Sequence, residues 1–249
     1  MGLKESGLRG SLRNVSVGID AIPDSEHKYL FENFSESIWE DSRGDNDITV
    51  NGLSEDSDAF NGVGGVTGDG SDDFGESNAP NINPTEPWAV AFSLNTTDFG
   101  DMGVLEQTAD GWKGLVIGTA ETGNTSPGKL SLWMPDGVDS TSDDPIEVET
   151  ESDITDGNDY QVIMQNTNTN PNSEDIEIYL NDAENEVSTV VGEVSNISNT
   201  VFPNDEFGYY ARLNDGSPGN HWNATKSGIR WFTKALDKNE RESIINELP

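Results

Sequence analysis

The chain has 249 residues, no cysteine, and 13 basic against 47 acidic residues, for a formal net charge of -34. Nucleic-acid partners are excluded, because their binding needs clustered basic residues that displace phosphate counterions. The lack of cysteine excludes disulfide-stapled scaffolds and thiolate metal sites. No run approaches the roughly 18 apolar residues of a membrane-spanning helix, so membrane insertion is not expected. The length fits one β-rich domain.

The acidic residues are spread along the whole chain, and six Trp and five Tyr favour a packed core over a disordered acidic chain. At ordinary ionic strength such a surface repels itself and weakens the compact state. At about 1 M salt the screening length falls to about 3 Å, and the repulsion largely disappears. The composition therefore resembles that of proteins from extreme halophiles. An acidic protein of a mesophile is the alternative.

The first nineteen residues carry a net charge of +2, in contrast to the rest of the chain. They contain no apolar run that could serve as the core of a signal peptide. We predict that residues 1–26 form an N-terminal arm that anchors the protein on an acidic partner through Lys4, Arg9 and Arg13. A frayed terminus is the alternative. Residues 27–249 are predicted to form a single domain.

Apolar residues alternate with polar or small ones in several segments, which is the pattern of half-buried strands. The clearest segments are residues 88–94, 130–134, 160–164, 176–180, 207–213 and 229–231. Asp-Gly pairs and other turn-forming residues separate them. This organisation predicts an all-β, antiparallel sandwich. Asp237 and Glu240 predict a capping box that opens a short C-terminal helix, with Ile244, Ile245 and Leu248 on one face.

Five segments, taken in chain order, resemble the laminin-G-like, concanavalin A-like lectin and glucanase domains. They are the opening run HKYLFENFSESIWEDSRGDNDITVNG, the strand entry DGSDDF, the strand WAVAFSL, the element IEIYLN, and the close GIRWF followed by KALDKNE. The resemblance extends over residues 27–249. It implies a two-sheet jelly roll, in a group whose members include glycan-binding modules, glycoside hydrolases and inert spacers on cell surfaces and virions.

The hydrolase option predicts two carboxylates on one strand, and the glucanases of this fold resemble E-x-D-x-x-E. The nearest match, residues 151–156, ends in Asp and lies within a long acidic run. In a chain so rich in acids this match is expected by chance, and we predict no catalytic residues. No cofactor is required by the sequence, although Ca²⁺ is common in the resembled group. A hard cation could bind the oxygens of Asp69, Asp72 and Asp73, or of Asp98 and Asp101.

Glycan binding uses aromatic faces against sugar C–H groups, with amides and carboxylates bonded to the hydroxyls. Trp112 and Trp222 are the candidate aromatic residues, because both lie among turn formers, and Asn220 and Asn223 are the candidate amides. Loop tryptophans that cap the edge of the sandwich are the alternative. A C-terminal cluster of basic residues is interpreted as an exposed helix face that neutralises nearby acids (Lys226, Arg230, Lys234, Lys238 and Arg241). Contact with an acidic partner or a glycan is the alternative.

Two hypotheses follow. The first is a non-enzymatic virion structural protein of a haloarchaeal virus, a capsid decoration, turret or tail fibre on the virion surface. Its expected partners are other virion proteins, further copies of itself in a homo-oligomer, and a glycan of the host surface. The second is an extracellular carbohydrate-binding protein on the cell surface of a haloarchaeon, for which an export signal is expected.

Overall fold

The computed structural model describes residues 24–44, 46–78, 82–98, 105–109, 113–119, 126–134, 145–191, 207–214, 217–219 and 221–249. The first elements are β1 (His27–Phe34), β2 (Ile38–Asp41), β3 (Ile48–Asn51), β4 (Ser54–Asp56), the helical turn α1 (Ala59–Gly62), β5 (Gly65–Asp69) and β6 (Phe74–Ser77). Next come β7 (Trp88–Thr96), β8 (Leu105–Ala109), β9 (Lys113–Gly118), β10 (Lys129–Met134), β11 (Ile146–Asp153), β12 (Tyr160–Asn166), a 3-10 turn (Ser173–Asp175) and β13 (Ile176–Leu180). The last are β14 (Ser188–Val190), β15 (Phe207–Tyr209), β16 (Arg212–Asn214), β17 (Ser217–Gly219), β18 (Asn223–Phe232) and helix α2 (Lys238–Ile245).

The strands form a curled antiparallel sheet, and β16 and β17 form a separate hairpin. The main path runs in the order β13-β12-β7-β18-β1-β2-β3-β6-β15-β8-β9-β10-β11-β14. Val90 and Phe92 of β7 share one apolar core with Leu130 and Leu132 of β10, on the other half of the path. The predicted two-sheet jelly-roll sandwich with a short C-terminal helix is confirmed. None of the helices in the described part of the chain has the length and apolar character needed to cross a membrane.

Helix α2 covers the outer face of the strands around β7. Asp237 and Glu240 form the predicted capping box, since each side chain accepts a 3.0 Å hydrogen bond from the backbone N–H of the other residue. The helix buries Ile244 and, just after its end, Leu248, in a second apolar cluster against the sheet. This side-chain pattern agrees with the predicted face. The strands beneath α2 are consequently covered on both sides.

Strand β18 carries an irregularity at Gly228, where its register with β7 shifts. Gly228 has φ of +67°, and an added Cβ would lie 3.0 Å from Leu248 Cδ2. We expect Gly228→Ala to lower the free energy of unfolding by about 1–3 kcal/mol, measured by chemical denaturation. Gly62→Ala is the matched control, because Gly62 has φ of +82° with no atom within 4 Å of the added Cβ. Equal losses in both variants would exclude a contribution from Leu248.

Asp41, at the end of β2, ties that strand to β1. Its Oδ1 accepts hydrogen bonds from the backbone N–H groups of Lys28 at 2.9 Å and Arg43 at 3.0 Å, and its Oδ2 lies 2.7 Å from His27 Nδ1. Burial raises the pKa of Asp41, but the hydrogen bonds outweigh burial and hold the pKa below its usual value. The charged carboxylate therefore stabilises the fold.

The lowered pKa of Asp41 determines the sign of a pH effect. Its stabilisation is present above the unfolded pKa, near 3.9, and is lost as the pH falls through the lower folded value. We expect Asp41→Asn to cost about 1–2 kcal/mol at neutral pH, and the difference from wild type to shrink below about pH 4. Denaturation of both proteins across this range measures the difference. If the difference in unfolding free energy between wild type and Asp41→Asn is as large at acid pH, the charge of Asp41 has no such role. Glu32→Gln, at an exposed position of β1, serves as the control.

Candidate functional site

The predicted polar residues that the structure describes meet at one end of the sandwich. Strand β18 begins there, β7 ends there, and β5 ends there. The antiparallel register pairs Asn223 with Asp69, and Ala224 with Thr96. Strand pairing thus brings residues from distant parts of the sequence together. We call this region the Asn223 end and define it by Asp69, Asp72, Asp73, Asp98 and Asn223.

Asp98 is held beside Asn223 by a short chain of hydrogen bonds. The Asn223 N–H donates to Asp98 Oδ2 at 3.3 Å, and Thr96 Oγ1 donates to the Asn223 carbonyl at 2.7 Å. The Asp98 N–H in turn donates to Thr96 Oγ1 at 3.0 Å. The side chain of Asn223 is exposed. Its amide can therefore reach a ligand while its backbone holds the loop.

Asp69, Asp72 and Asp73 form a group on the other side of Asn223. One carboxylate oxygen from each lies within 4.8 Å of the other two. Asp73 is buried, whereas Asp69 and Asp72 are exposed. The Asp69 N–H donates to Asp73 Oδ2 at 2.8 Å, and His221 Nδ1 lies 3.0 Å from the Asp73 carbonyl. The predicted acidic set is therefore close together in space.

The raised pKa of Asp73 reflects its burial and the negative charges close to it. Burial raises the pKa of Asp73, and the carboxylates of Asp69 and Asp72 raise it further. Opposing contributions come from the Asp69 N–H and His221. Carboxylate oxygens are the ligands that hard cations prefer, and a bound cation would relieve the repulsion among the three acids. The chemistry fits calcium, and the metal site stays a prediction.

Trp222 is a candidate glycan-binding residue in the sequence, and the structure shows that this role is wrong. Its side chain has no exposed area, and its Nε1 donates to Thr119 Oγ1 at 3.0 Å. Its backbone N–H donates to the Tyr210 carbonyl at 2.7 Å. An enclosed ring cannot stack on a sugar. The glycan-contacting role of Trp222 is therefore replaced by a role in the core.

Lys226 lies in the same interior and was also misplaced by the sequence interpretation. It is fully buried, with Nζ 3.7 Å from the centre of the Tyr210 ring and 5.0 Å from that of Trp222. Burial lowers the pKa of Lys226 well below its usual value. Tyr210 has φ of +66°, a rare conformation for a bulky residue, and its hydroxyl donates to the Val66 carbonyl. These contacts make a polar cluster inside the sandwich, behind the Asn223 end.

The rest of the C-terminal basic cluster mostly pairs with acids of the same chain. Arg230 is buried, and its Nη1 lies 2.8 Å from Glu247 Oε2. Lys234 pairs with Glu240. The exposed Lys238 Nζ lies 2.6 Å from Glu184 Oε1, and the Arg241 guanidinium stacks 4.2 Å from the centre of the Tyr179 ring. The predicted neutralisation of nearby acids holds for Arg230, Lys234 and Lys238. The exposed position is wrong for Arg230, as it is for Lys226.

Several predicted residues lie outside the described ranges. These are the anchoring residues Lys4, Arg9 and Arg13, the candidate glycan-binding residues Trp112 and Asn220, and the candidate cation ligand Asp101. Strand β1 begins at His27. The arm over residues 1–26 and the domain over residues 27–249 stay predictions.

The three acidic residues of the segment 151–156, the nearest match to the glucanase pattern, lie at the surface. Glu151 and Asp153 are exposed at the end of β11, and Asp156 lies in the following turn. The Asn158 N–H is the main cause of a lowered pKa for Asp156. A general acid of a glycosidase needs a raised pKa. The pKa of Asp156 is thus shifted in the direction opposite to that of a general acid.

The cavities in the described part of the molecule include two of similar volume. One, of about 460 Å³, adjoins the acidic group and is lined by Phe34, Glu36, Gly52, Leu53, Ser54 and Glu55. An added Cβ at Gly52 would clash with Asp73 Oδ1, which shows how closely this wall approaches the Asn223 end. The second, of about 410 Å³, lies at the start of β7 and is lined by residues of the segment 82–88 together with Thr233 and Lys234. Sequence reasoning found neither cavity.

Neither a protein-family model nor a curated protein matches the sequence. Several solved structures are similar to the fold of this chain. The ligand binding domain of botulinum neurotoxin serotype D, in complex with N-acetylneuraminic acid, superposes with a TM-score of 0.59 at 11% identity, over 89% of this chain and 50% of that chain. The binding domain of botulinum neurotoxin DC, in complex with rat synaptotagmin II, gives 0.61 at 13% identity, over 90% and 52%. A Trypanosoma rangeli sialidase with the inhibitor DANA gives 0.54 at 11% identity, over 90% and 33%.

The chain has their β-sandwich fold. It spans about half the length of the two neurotoxin domains and a third of the sialidase. At 11–13% identity the likeness concerns the fold alone. These structures include a domain solved with N-acetylneuraminic acid, a domain solved with rat synaptotagmin II, and a sialidase. Function must therefore be argued from the residues of this chain.

Proposed function

We propose that the protein is a non-enzymatic attachment domain that binds carbohydrate at the Asn223 end. The observation that carries the proposal is the convergence of an exposed amide with several carboxylates at one end of a jelly roll. Asn223 offers two N–H donors and a carbonyl acceptor, while Asp98 and Asp69 offer acceptors. Sugar hydroxyls pair with such groups. A complex between a related fold and N-acetylneuraminic acid supports the ligand class.

We further propose that the protein works at high salt as a surface component of a haloarchaeal virion, as a capsid decoration, turret or tail fibre. The excess of 47 acidic over 13 basic residues supports the high-salt setting. The basic residues near the N-terminus support docking on an acidic virion protein, with copies of the chain assembled as a homo-oligomer. A carbohydrate-binding protein on the surface of a haloarchaeal cell is the alternative location for the same binding chemistry.

The arm gives the virion proposal its own test. Deletion of residues 2–20 is expected to leave a folded domain that no longer joins its assembly, because the three basic residues of the arm are removed. Co-purification with particles measures incorporation, and circular dichroism in the same salt verifies folding. Undiminished incorporation of the truncated protein would refute the anchoring role.

Carbohydrate binding is tested with a glycan array in about 2 M KCl, where charge repulsion is screened. We expect selective binding that Asn223→Ala abolishes. Asn239→Ala is the matched control, because Asn239 is an exposed asparagine on α2. The absence of binding to every glycan would favour a purely architectural role and reject the proposed ligand class.

A glycoside hydrolase is the second candidate, and the sialidase among the similar folds favours a test of it. We expect no release of fluorophore from fluorogenic sialosides, glucosides or galactosides. Turnover that survives Glu151→Gln and Asp156→Asn would show that catalytic residues lie elsewhere in the chain. Turnover in either form would reject a non-enzymatic function.

A further inference from the structure

The cavity beside β4 is a groove along a strand edge. Its volume is about 460 Å³, and four consecutive residues, 52–55, line it together with Phe34 and Glu36. Successive side chains of a strand point to opposite faces, so consecutive residues line one cavity where that cavity follows the edge of the backbone. The other edge of β4 pairs with β5. We call this cavity the β4 groove.

The edge of β4 along the groove is open. Within the described part of the chain, β5 is the only strand that pairs with β4. An open edge presents backbone N–H and C=O groups that can pair with a further extended segment. The β4 groove therefore offers backbone hydrogen bonds as well as side-chain contacts.

The side chains of the β4 groove combine apolar surface with negative charge. Phe34 and Leu53 supply the apolar part of the lining. Glu36 and Glu55 are exposed, and neither forms an ion pair with a described residue. At Gly52 the groove approaches Asp73 and the other two acids of its group, which adds to the negative potential. An extended segment that carries both apolar and basic side chains is complementary to this lining.

Residues 8–13 have this composition, with the sequence LRGSLR. In an extended conformation Leu8 and Leu12 would lie on one face and Arg9 and Arg13 on the other. With 13 basic against 47 acidic residues in the chain, a segment with two arginines and no acid is unusual in it. The basic residues near the C-terminus mostly pair with acids of their own chain. Charge complementarity therefore favours residues 8–13 as the occupant of the groove.

The direction of β1 favours a second copy as the source of this segment. The chain enters β1 at His27, and the β4 groove lies beside Phe34 at the other end of the strand, roughly 23 Å away at about 3.3 Å per residue. The Glu26 N–H donates to the Trp231 carbonyl at 2.8 Å, which holds the chain at the entry end. A segment that leaves one end of a domain, with its groove at the other end, is suited to head-to-tail contact between copies.

We propose that residues 8–13 of one copy add to the open edge of β4 in a second copy as an extra strand. The leucines pack against the apolar lining of the groove, and the arginines pair with Glu36 and Glu55. Each copy gives one segment and receives another, so repetition of the contact builds a ring or a filament. This inference rests on the anchoring arm of the proposed function and identifies a second copy of the chain as its acidic partner.

Disulfide trapping tests the contact, and the chain has no cysteine of its own to interfere. Ser11→Cys and an affinity-tagged Ser54→Cys protein are mixed in about 2 M KCl under mild oxidation. Because binding raises the effective concentration of the two thiols, we expect a mixed disulfide at about tenfold or more the control yield. The control mixture pairs Ser11→Cys with Ser152→Cys, since Ser152 is exposed on β11, on the other half of the strand path.

Substitutions in the groove and in the segment test the chemistry of the contact. Leu12→Ser in the first protein and Glu55→Gln in the second are each expected to lower the yield of mixed disulfide by about threefold or more. Glu242→Gln, the same charge change at an exposed position of α2, is expected to leave it unchanged. Circular dichroism in the same salt verifies that each variant is folded. Equal yields in Glu55→Gln and Glu242→Gln would overturn the role of the groove.

Three outcomes separate this inference from the proposed function. A mixed disulfide no more abundant than in the control mixture overturns the inference. So does a disulfide that forms only within single chains of the double variant Ser11→Cys with Ser54→Cys, because the segment then binds its own domain. In both cases, loss of particle incorporation on deletion of residues 2–20 would leave the anchoring role standing. A mixed disulfide together with undiminished incorporation would support the contact between copies and refute anchoring to the particle.

Discussion

Raising KCl from about 0.1 M to about 2 M is expected to increase the unfolding midpoint by about 10 °C or more. The net charge of -34 is the reason. Screening shortens the range of repulsion from about 10 Å to about 3 Å between 0.1 M and 1 M salt, which relieves like-charge contacts over the whole surface. A midpoint shift of this size corresponds to about 3 kcal/mol or more for a domain of this length. Differential scanning calorimetry measures it.

A control must separate screening from the general stabilising effect of excluded solutes. Sucrose stabilises folded proteins without screening charge. We therefore expect a much smaller shift in sucrose of equal osmolality than in KCl. An unchanged midpoint between the two KCl concentrations would contradict the high-salt interpretation and favour an acidic protein of a mesophile. A shift of equal size in sucrose would contradict the role of charge.

Trp222→Ala is expected to lower the free energy of unfolding by about 3–5 kcal/mol, because it empties the space of a fully enclosed indole. It also removes the bond from Nε1 to Thr119 Oγ1 and one of the two rings near Lys226 Nζ. Chemical denaturation at molar salt measures the loss. Trp222→Phe keeps an aromatic ring and is expected to cost less, so the effect remains measurable if the alanine variant fails to fold.

The adjacent residue supplies the matched control for Trp222. Asn223 has an exposed side chain, and Asn223→Ala is expected to change stability by no more than about 0.5 kcal/mol. We therefore expect Trp222→Ala to lower stability and Asn223→Ala to lower ligand binding. Unaltered stability in Trp222→Ala together with lost glycan binding would restore the glycan-binding interpretation of Trp222.

The fold was largely predictable because alternation and turn chemistry are local signals. The segments around Val90, Leu132 and Val162 alternate as strands do, and the structure buries these residues in one core. The capping box at Asp237 depends on residues three positions apart, which sequence shows directly. Register and strand order depend on distant pairings, and no sequence pattern in the chain determines them.

The site was predictable only in part. The sequence identified Asp69, Asp98 and Asn223 separately, but their meeting depends on the pairing of β5 and β7 with β18. The turn formers around Trp222 led to the wrong role for it. Every second residue from Trp222 onward, including Ala224 and Lys226, lies on the inner face of β18 or its extension. The turn formers around Trp222 correctly predict a loop. The alternation with Ala224 and Lys226 predicts that its side chain points into the core, and it is the better guide to burial.

The cavity at the start of β7 escaped prediction for a different reason. Trp88 alternates with Val90 and Phe92, which correctly indicates the core. The wall of the cavity depends on Asn166, whose Nδ2 reaches carbonyl groups about eighty positions earlier in the chain.

The internal pairing of cations has a consequence for contacts between copies of the protein. Arg230, Lys234 and Lys238 each face a carboxylate of their own chain, so their charges are already compensated. Two copies placed side by side then present mainly uncompensated carboxylates to each other. Hydrated K⁺ or Na⁺ ions between the two copies would then screen the repulsion between these carboxylates and allow the copies to associate. An assembly of this kind is expected to come apart on desalting at a higher salt concentration than the one at which each copy unfolds.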